Sequence, residues 1–133
     1  MGLDMYGYTM RAEFVGDRQV DVKPRTDKER EQAQMEVIAY WWKFNHLHGW
    51  MEKLYREKGG TAEHFNLCTV RLDMDDLARL EQALNNDELE YTEGFFFGGK
   101  EIYPENIEDT RQFIANARDA IGKGLTVFYN SWW

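Results

Sequence analysis

Residues 27–58 read DKEREQAQMEVIAYWWKFNHLHGWMEKLYREK, and the interpretation of this stretch decides the fold. Val37, Trp41, Phe44, Leu47, Met51 and Leu54 recur at spacings of three and four, which predicts one apolar stripe along a long amphipathic helix. Thr26 is placed to cap that helix, and Glu29 three residues on completes a capping-box pattern. Gly59-Gly60 supplies the stop. Gly49 lies inside, at a cost of about 1 kcal/mol relative to alanine, which implies close packing or a bend there.

Upstream, residues 3–15 alternate loosely, and Val15-Gly16-Asp17-Arg18 reads as a turn into a second strand over residues 18–22. A β-hairpin is therefore expected, ended by Pro24. Downstream, residues 66–72 read as a strand and Asp73 as the cap of a helix buried through Leu77, Leu80 and Leu84. Residues 93–97 and 100–103 read as a hairpin across Gly98-Gly99. Pro104 opens a third helix whose inner face carries Ile107, Phe113 or Ile114, Ala117 and Ile121, and residues 125–129 form a last strand. The order ββαβαββαβ predicts one α+β domain over residues 1–133. Its mainly antiparallel sheet would be covered on one face by the long helix and two shorter ones.

Composition narrows the function. A chain of 133 residues suits a single core, and 43% apolar residues are enough to build it. Twenty-four acidic against 16 basic residues give a net charge of −8, which argues against gripping long nucleic acid. No stretch approaches the about 20 apolar residues of a membrane span, and the N-terminus lacks a secretion-signal layout. A soluble cytoplasmic protein is expected. One cysteine, Cys68, excludes an internal disulfide. Five Trp, seven Tyr and eight Phe exceed what one small core requires, so some rings are expected to serve binding.

Several segments resemble a family of small hypothetical proteins from bacteriophages, prophages and bacteria. They are the opening Met-Gly-Leu-Asp-Met-Tyr (residues 1–6), Tyr40-Trp41-x-Lys43-x-Asn45-x-x-His48-x-Trp50, Gly94-Phe95-Phe96-Phe97-Gly98 and Ser131-Trp132. The resemblance implies a phage or prophage source and assigns no catalytic residues. It favours small proteins that bind or sequester a host component.

On a helix, Trp41 or Trp42 and Trp50 would offer flat faces, Asn45 an amide and His48 either a donor or an acceptor. Lys43 or Arg71 would add positive charge, completing the parts that hold a nucleotide-like ring. Phe95 and Phe97 would point one way from their strand and Phe96 the other. With Tyr8, Tyr91, Tyr103 and Trp132-Trp133 they predict an apolar patch for a host protein or for a homodimer.

The alternatives are a metal-dependent hydrolase and a homo-oligomeric assembly factor. His48 and Glu52, four apart on a helix, share a face, but a metal would need a third ligand such as His64 or Cys68. Asp73, Asp75 and Asp76 fit helix capping better than a calcium loop. Residues 87–93 form the densest acidic run and read as a solvated loop. No cofactor is expected.

Overall fold

The structure, a computed structural model, describes residues 2–94 and 97–133. The chain runs β1 (Asp4–Arg11), α1 (Ala12–Val15), α2 (Asp27–Ala33), β2 (Glu36–Trp42), α3 (Asn45–Glu57), β3 (Thr69–Leu72), α4 (Met74–Asn85), α5 (Pro104–Gly122) and β4 (Leu125–Trp132). The strands form one antiparallel sheet in the order β2-β1-β4-β3. This is the α+β class expected from the sequence. Among the described residues, no helix is long and apolar enough to cross a membrane.

The segment expected to be one long helix is helix, strand and helix. Thr26 does cap α2, its hydroxyl accepting from the Glu29 amide, but α2 ends at Gln34, which sits in the left-handed region (φ 46°). Residues 36–42 then extend and pair with β1, and Lys43 turns left-handed (φ 54°) before α3 begins. The β-branched and aromatic run Val37-Ile38-Ala39-Tyr40-Trp41-Trp42 favours a pleated surface over a helix. A spacing of four, as between Val37 and Trp41, fits both a helix turn and a strand repeat, so periodicity alone does not separate them.

The N-terminal hairpin is also corrected. β1 pairs with β2 and β4, not with residues 18–22. Those residues flank β3 instead: Val20 bridges to Val70, the Asp21 amide donates to the Thr69 carbonyl and the Arg71 amide to the Gln19 carbonyl. The hairpin expected over residues 93–103 falls partly on Phe95 and Phe96, which lie outside the described residues. Residues 97–103 contain no strand. The expected helix starts at Asp73 and Pro104 hold, and the last strand runs three residues further than expected.

Alternation sorts the strands between two cores. Met5, Trp41, Val70, Leu72, Val127 and Tyr129 face α3, α4 and α5 in the main core. α5 lies so close to β1 that a Cβ on Gly7 would sit 2.5 Å from Phe113 Cε1, which leaves room only for glycine. On the other face Tyr8, Met10 and Phe128 pack with Val15, Val22 and Ala33 beneath α1 and α2. That cover reaches only half of the second face.

Candidate binding face

The uncovered half of the sheet is built by three neighbouring strands in register. Asp4 of β1 stands between Trp42 of β2 and Trp132 of β4. One step along, Tyr6 stands between Tyr40 and Asn130. With neighbouring strands about 4.8 Å apart, Trp42 and Trp132 spring from backbone positions roughly 10 Å apart. Trp42 is 58% exposed, Trp132 62% and Tyr40 47%, in a protein whose Trp41 is 2% exposed. A register shift in β2, between the residues opposite Gly7 and Tyr8, brings the exposed Val37 onto this same face. The exposed Leu67 joins the edge of the face, its amide donating to the Ser131 carbonyl beside Trp132.

The rings on β1 and β2 are held in place. The Tyr40 hydroxyl donates to Asp4 Oδ1, and that bond, with a smaller contribution from burial, raises the phenol to about 12. The Tyr6 and Tyr40 rings lie 5.3 Å apart, tilted. Lys43 Nζ sits 4.7 Å from the Trp42 ring centroid, a cation–π contact worth about 0.5–1 kcal/mol at an exposed site. An aromatic strip this open, stiffened by neighbours, presents large contact area at little entropy cost.

The structure does not assemble the stack-and-amide pocket read from residues 41–50. Trp41 and Trp42 are successive strand residues and project from opposite faces of the sheet. Trp41 is sealed in the main core, where its indole N–H donates to Thr110 Oγ1 at 3.0 Å. Asn45 is buried and fully engaged: its amide nitrogen donates to the carbonyls of Phe97 (3.1 Å) and Gly99 (2.8 Å), and Oδ1 accepts from the Thr92 amide. It clamps the loop after residue 91 onto α3, leaving nothing to read a ligand edge.

His48 is 1% exposed, with Nδ1 2.7 Å from the Tyr129 hydroxyl. Burial lowers its pKa to about 3, against the smaller opposing effect of a backbone hydrogen bond at Phe65. Phe97 closes over it edge-on, 4.9 Å between ring centroids, and also meets Trp133. Trp50 is half-buried. Trp133 folds back onto its own subunit, its indole donating to the Phe65 carbonyl, and only Trp132 of the terminal pair faces outward.

The metal-centre constellation is likewise dispersed. Glu52 accepts from Arg56 at the surface, while His48 is enclosed in the core. Cys68 is buried and its thiol faces the backbone carbonyls of His64 and Asn66, not an imidazole. Among the described residues no group of three or more His, Cys, Asp or Glu is placed to hold a metal ion. Arg71 donates to the Gly16 carbonyl. Of the other patch candidates, Tyr8 is buried in the second core, Tyr91 lies beside His46, and Tyr103 shares a cleft with Trp42 beyond the edge of β2.

Tyr6, Tyr40 and Asn130 were not evident as site residues, because the helical reading of residues 36–42 hides that Tyr40 and Trp42 share a face. Strand alternation within residues 36–42 is the signal that puts Tyr40 on the face of Trp42; Tyr6 and Asn130 join them only through the sheet pairings. Comparison with protein-family models, with curated proteins and with solved structures finds no match.

Proposed function

We propose that the protein is a non-enzymatic binding protein that docks a partner protein on the open half of its sheet. The observation supporting this is the row Trp42–Asp4–Trp132, two tryptophans more than half exposed on one face. Tryptophan and tyrosine are the side chains most enriched at binding hot spots. The face is broad and lacks the enclosing walls that small-molecule sites use, so it suits a macromolecular surface better than a free nucleotide. The opening hexapeptide and its companion segments support a phage or prophage source, with the bound protein a component of the host cytoplasm.

Affinity capture from host lysate tests this reading when run with paired variants. Wild type and Tyr91→Ala, which alters an exposed ring away from the face, should retain one common protein. Trp42→Ala and Trp132→Ala should lose it while staying folded, with a loss of stability of about 1 kcal/mol or less. Retention of the same protein by both tryptophan variants would refute the assignment.

A second reading, a homodimer, is favoured by β2, an edge strand of the sheet. Its only charged residue is Glu36 at one end, and it carries no proline, whereas the opposite edge, β3, is flanked by residues 19–22. Sedimentation equilibrium separates the two readings, since a monomer across the micromolar range leaves the face free for a different protein.

A further inference from the structure

A groove of about 470 Å³ lies where the open sheet meets the segment around α2. Tyr8 and Asn130 line it from the sheet, Pro24, Met35 and Leu67 supply apolar wall, and Lys23 and Arg30 supply charge. In a chain of net charge −8, the described residues that line this groove include two cations and no carboxylate. Lys23 is half-buried and makes no ion pair among the described residues. Asp21, a nearby carboxylate, is engaged through Oδ2 by the Tyr55 hydroxyl. Among the described residues Arg30 pairs only with Asp27 on its own helix, in a solvent-exposed contact of the kind worth little. Asn130 uses its Oδ1 on the Ser131 amide, which leaves its NH₂ group as a donor into the groove.

We infer that this groove is a binding site for a small amphipathic anion, an apolar chain or ring carrying one carboxylate, sulfonate or phosphate. The apolar body lies against Pro24, Met35 and Leu67, and the head group meets Lys23, Arg30 and the Asn130 amide. Lys23 has the Asp21 carboxylate nearby but no direct ion pair with it among the described residues, and the Arg25 cation is nearby as well. An arriving anion therefore adds counter-charge to the partly buried ammonium while gaining charge-assisted hydrogen bonds. The groove shares Leu67 and Asn130 with the edge of the docking face but contains neither Trp42 nor Trp132, so the two readings are scored on different side chains.

Titration with 8-anilinonaphthalene-1-sulfonate, followed by its fluorescence, tests the site, with the uncharged N-phenyl-1-naphthylamine as its partner probe. Lys23→Gln and Arg30→Gln should together weaken sulfonate binding by about tenfold or more, the loss expected when charged hydrogen bonds are removed, and change the neutral probe by less than about twofold. Lys23→Arg should restore most of the affinity. Displacement by decanoate assigns a chain-like ligand body and displacement by 1-naphthyl phosphate a ring; displacement by neither overturns the inference. It is also overturned if Trp42→Ala or Trp132→Ala abolishes sulfonate binding while the Lys23/Arg30 variant, with an unchanged circular dichroism spectrum, retains it. Failure there leaves the docking reading intact, since capture of a partner protein is scored on the tryptophan variants.

Discussion

The Tyr129 hydroxyl and His48 Nδ1 meet at 2.7 Å in the closed interior between β4 and α3. Burial keeps Tyr129 protonated, its pKa well above the ordinary phenol value, and keeps His48 neutral. A protonated phenol and a neutral imidazole form one satisfied bond, in which the O–H donates to the ring nitrogen. The same pairing in water would release His48 to titrate near 6.5.

A pH dependence of stability follows from that difference. Between about pH 6.5 and 3 the unfolded chain takes a proton on His48 that the folded chain refuses, so stability falls as pH falls. The slope from this one group is about 1.4 kcal/mol per pH unit over that window. His46, also lowered by burial, acts in the same sense. Urea unfolding of wild type and His48→Gln from pH 7 to 4 checks it. The variant should start less stable and lose less on acidification, so that the two curves converge.

Trp41 and Trp42 are adjacent in sequence and should separate sharply in energetics. Trp41→Ala removes a core ring that packs edge-on to Phe113 and leaves Thr110 without its indole donor, a loss of about 3–5 kcal/mol. Trp42→Ala removes a ring that is mostly in water and should cost about 1 kcal/mol or less. Denaturant midpoints of the two single variants decide the matter. Equal losses would mean that the assignment of faces in β2 is wrong.

That contrast also marks what the sequence made legible. Asp73, Pro104 and the Leu77/Leu80/Leu84 stripe announce their helices because caps and periodicity agree there. Residues 36–42 carry a conflict: their spacing suits a helix, their side chains suit a strand, and only pairing with β1 resolves it. The choice governs the site, since a helix places Trp41, Asn45 and His48 on one surface while the strand sends Trp41 inward and Trp42 outward. The excess of rings did foretell exposed aromatics. Which rings they are depends on sheet order, a set of long-range pairings with no local signature.

Asp76 should be the most sensitive carboxylate on α4. Its side chain closes the capping box with Asp73, receives Lys58 in a contact shielded on both sides, and receives Arg79 at 3.0 Å. Burial alone would raise this carboxyl, but the hydrogen bonds from Lys58, the Asp73 amide and Arg79 outweigh it and hold it below the usual value. Its contribution is therefore present above the unfolded carboxyl pKa and is lost as pH falls through the lower, folded one. Asp76→Asn leaves the Lys58 ammonium buried without its counter-charge and should destabilise by about 2–4 kcal/mol. Lys58→Met should cost less, because Arg79 and the Asp73 amide still hold the carboxylate. Chemical denaturation at pH 7 gives the order.

Gly49 should respond to substitution through a contact, not through helix propensity. Alanine in mid-helix would ordinarily gain about 1 kcal/mol over glycine. Here a Cβ would run into the Thr92 hydroxyl and stand 3.0 Å from Thr92 Cβ, while the Thr92 amide is tied to Asn45 Oδ1 on the same helix. The loop cannot retreat without breaking that bond, so Gly49→Ala should destabilise by about 1–3 kcal/mol. Thr92→Gly removes both obstructing atoms and should turn the same substitution neutral or favourable. A double-mutant cycle on the two positions measures this coupling. A coupling near zero would show that Asn45 does not pin the loop against α3.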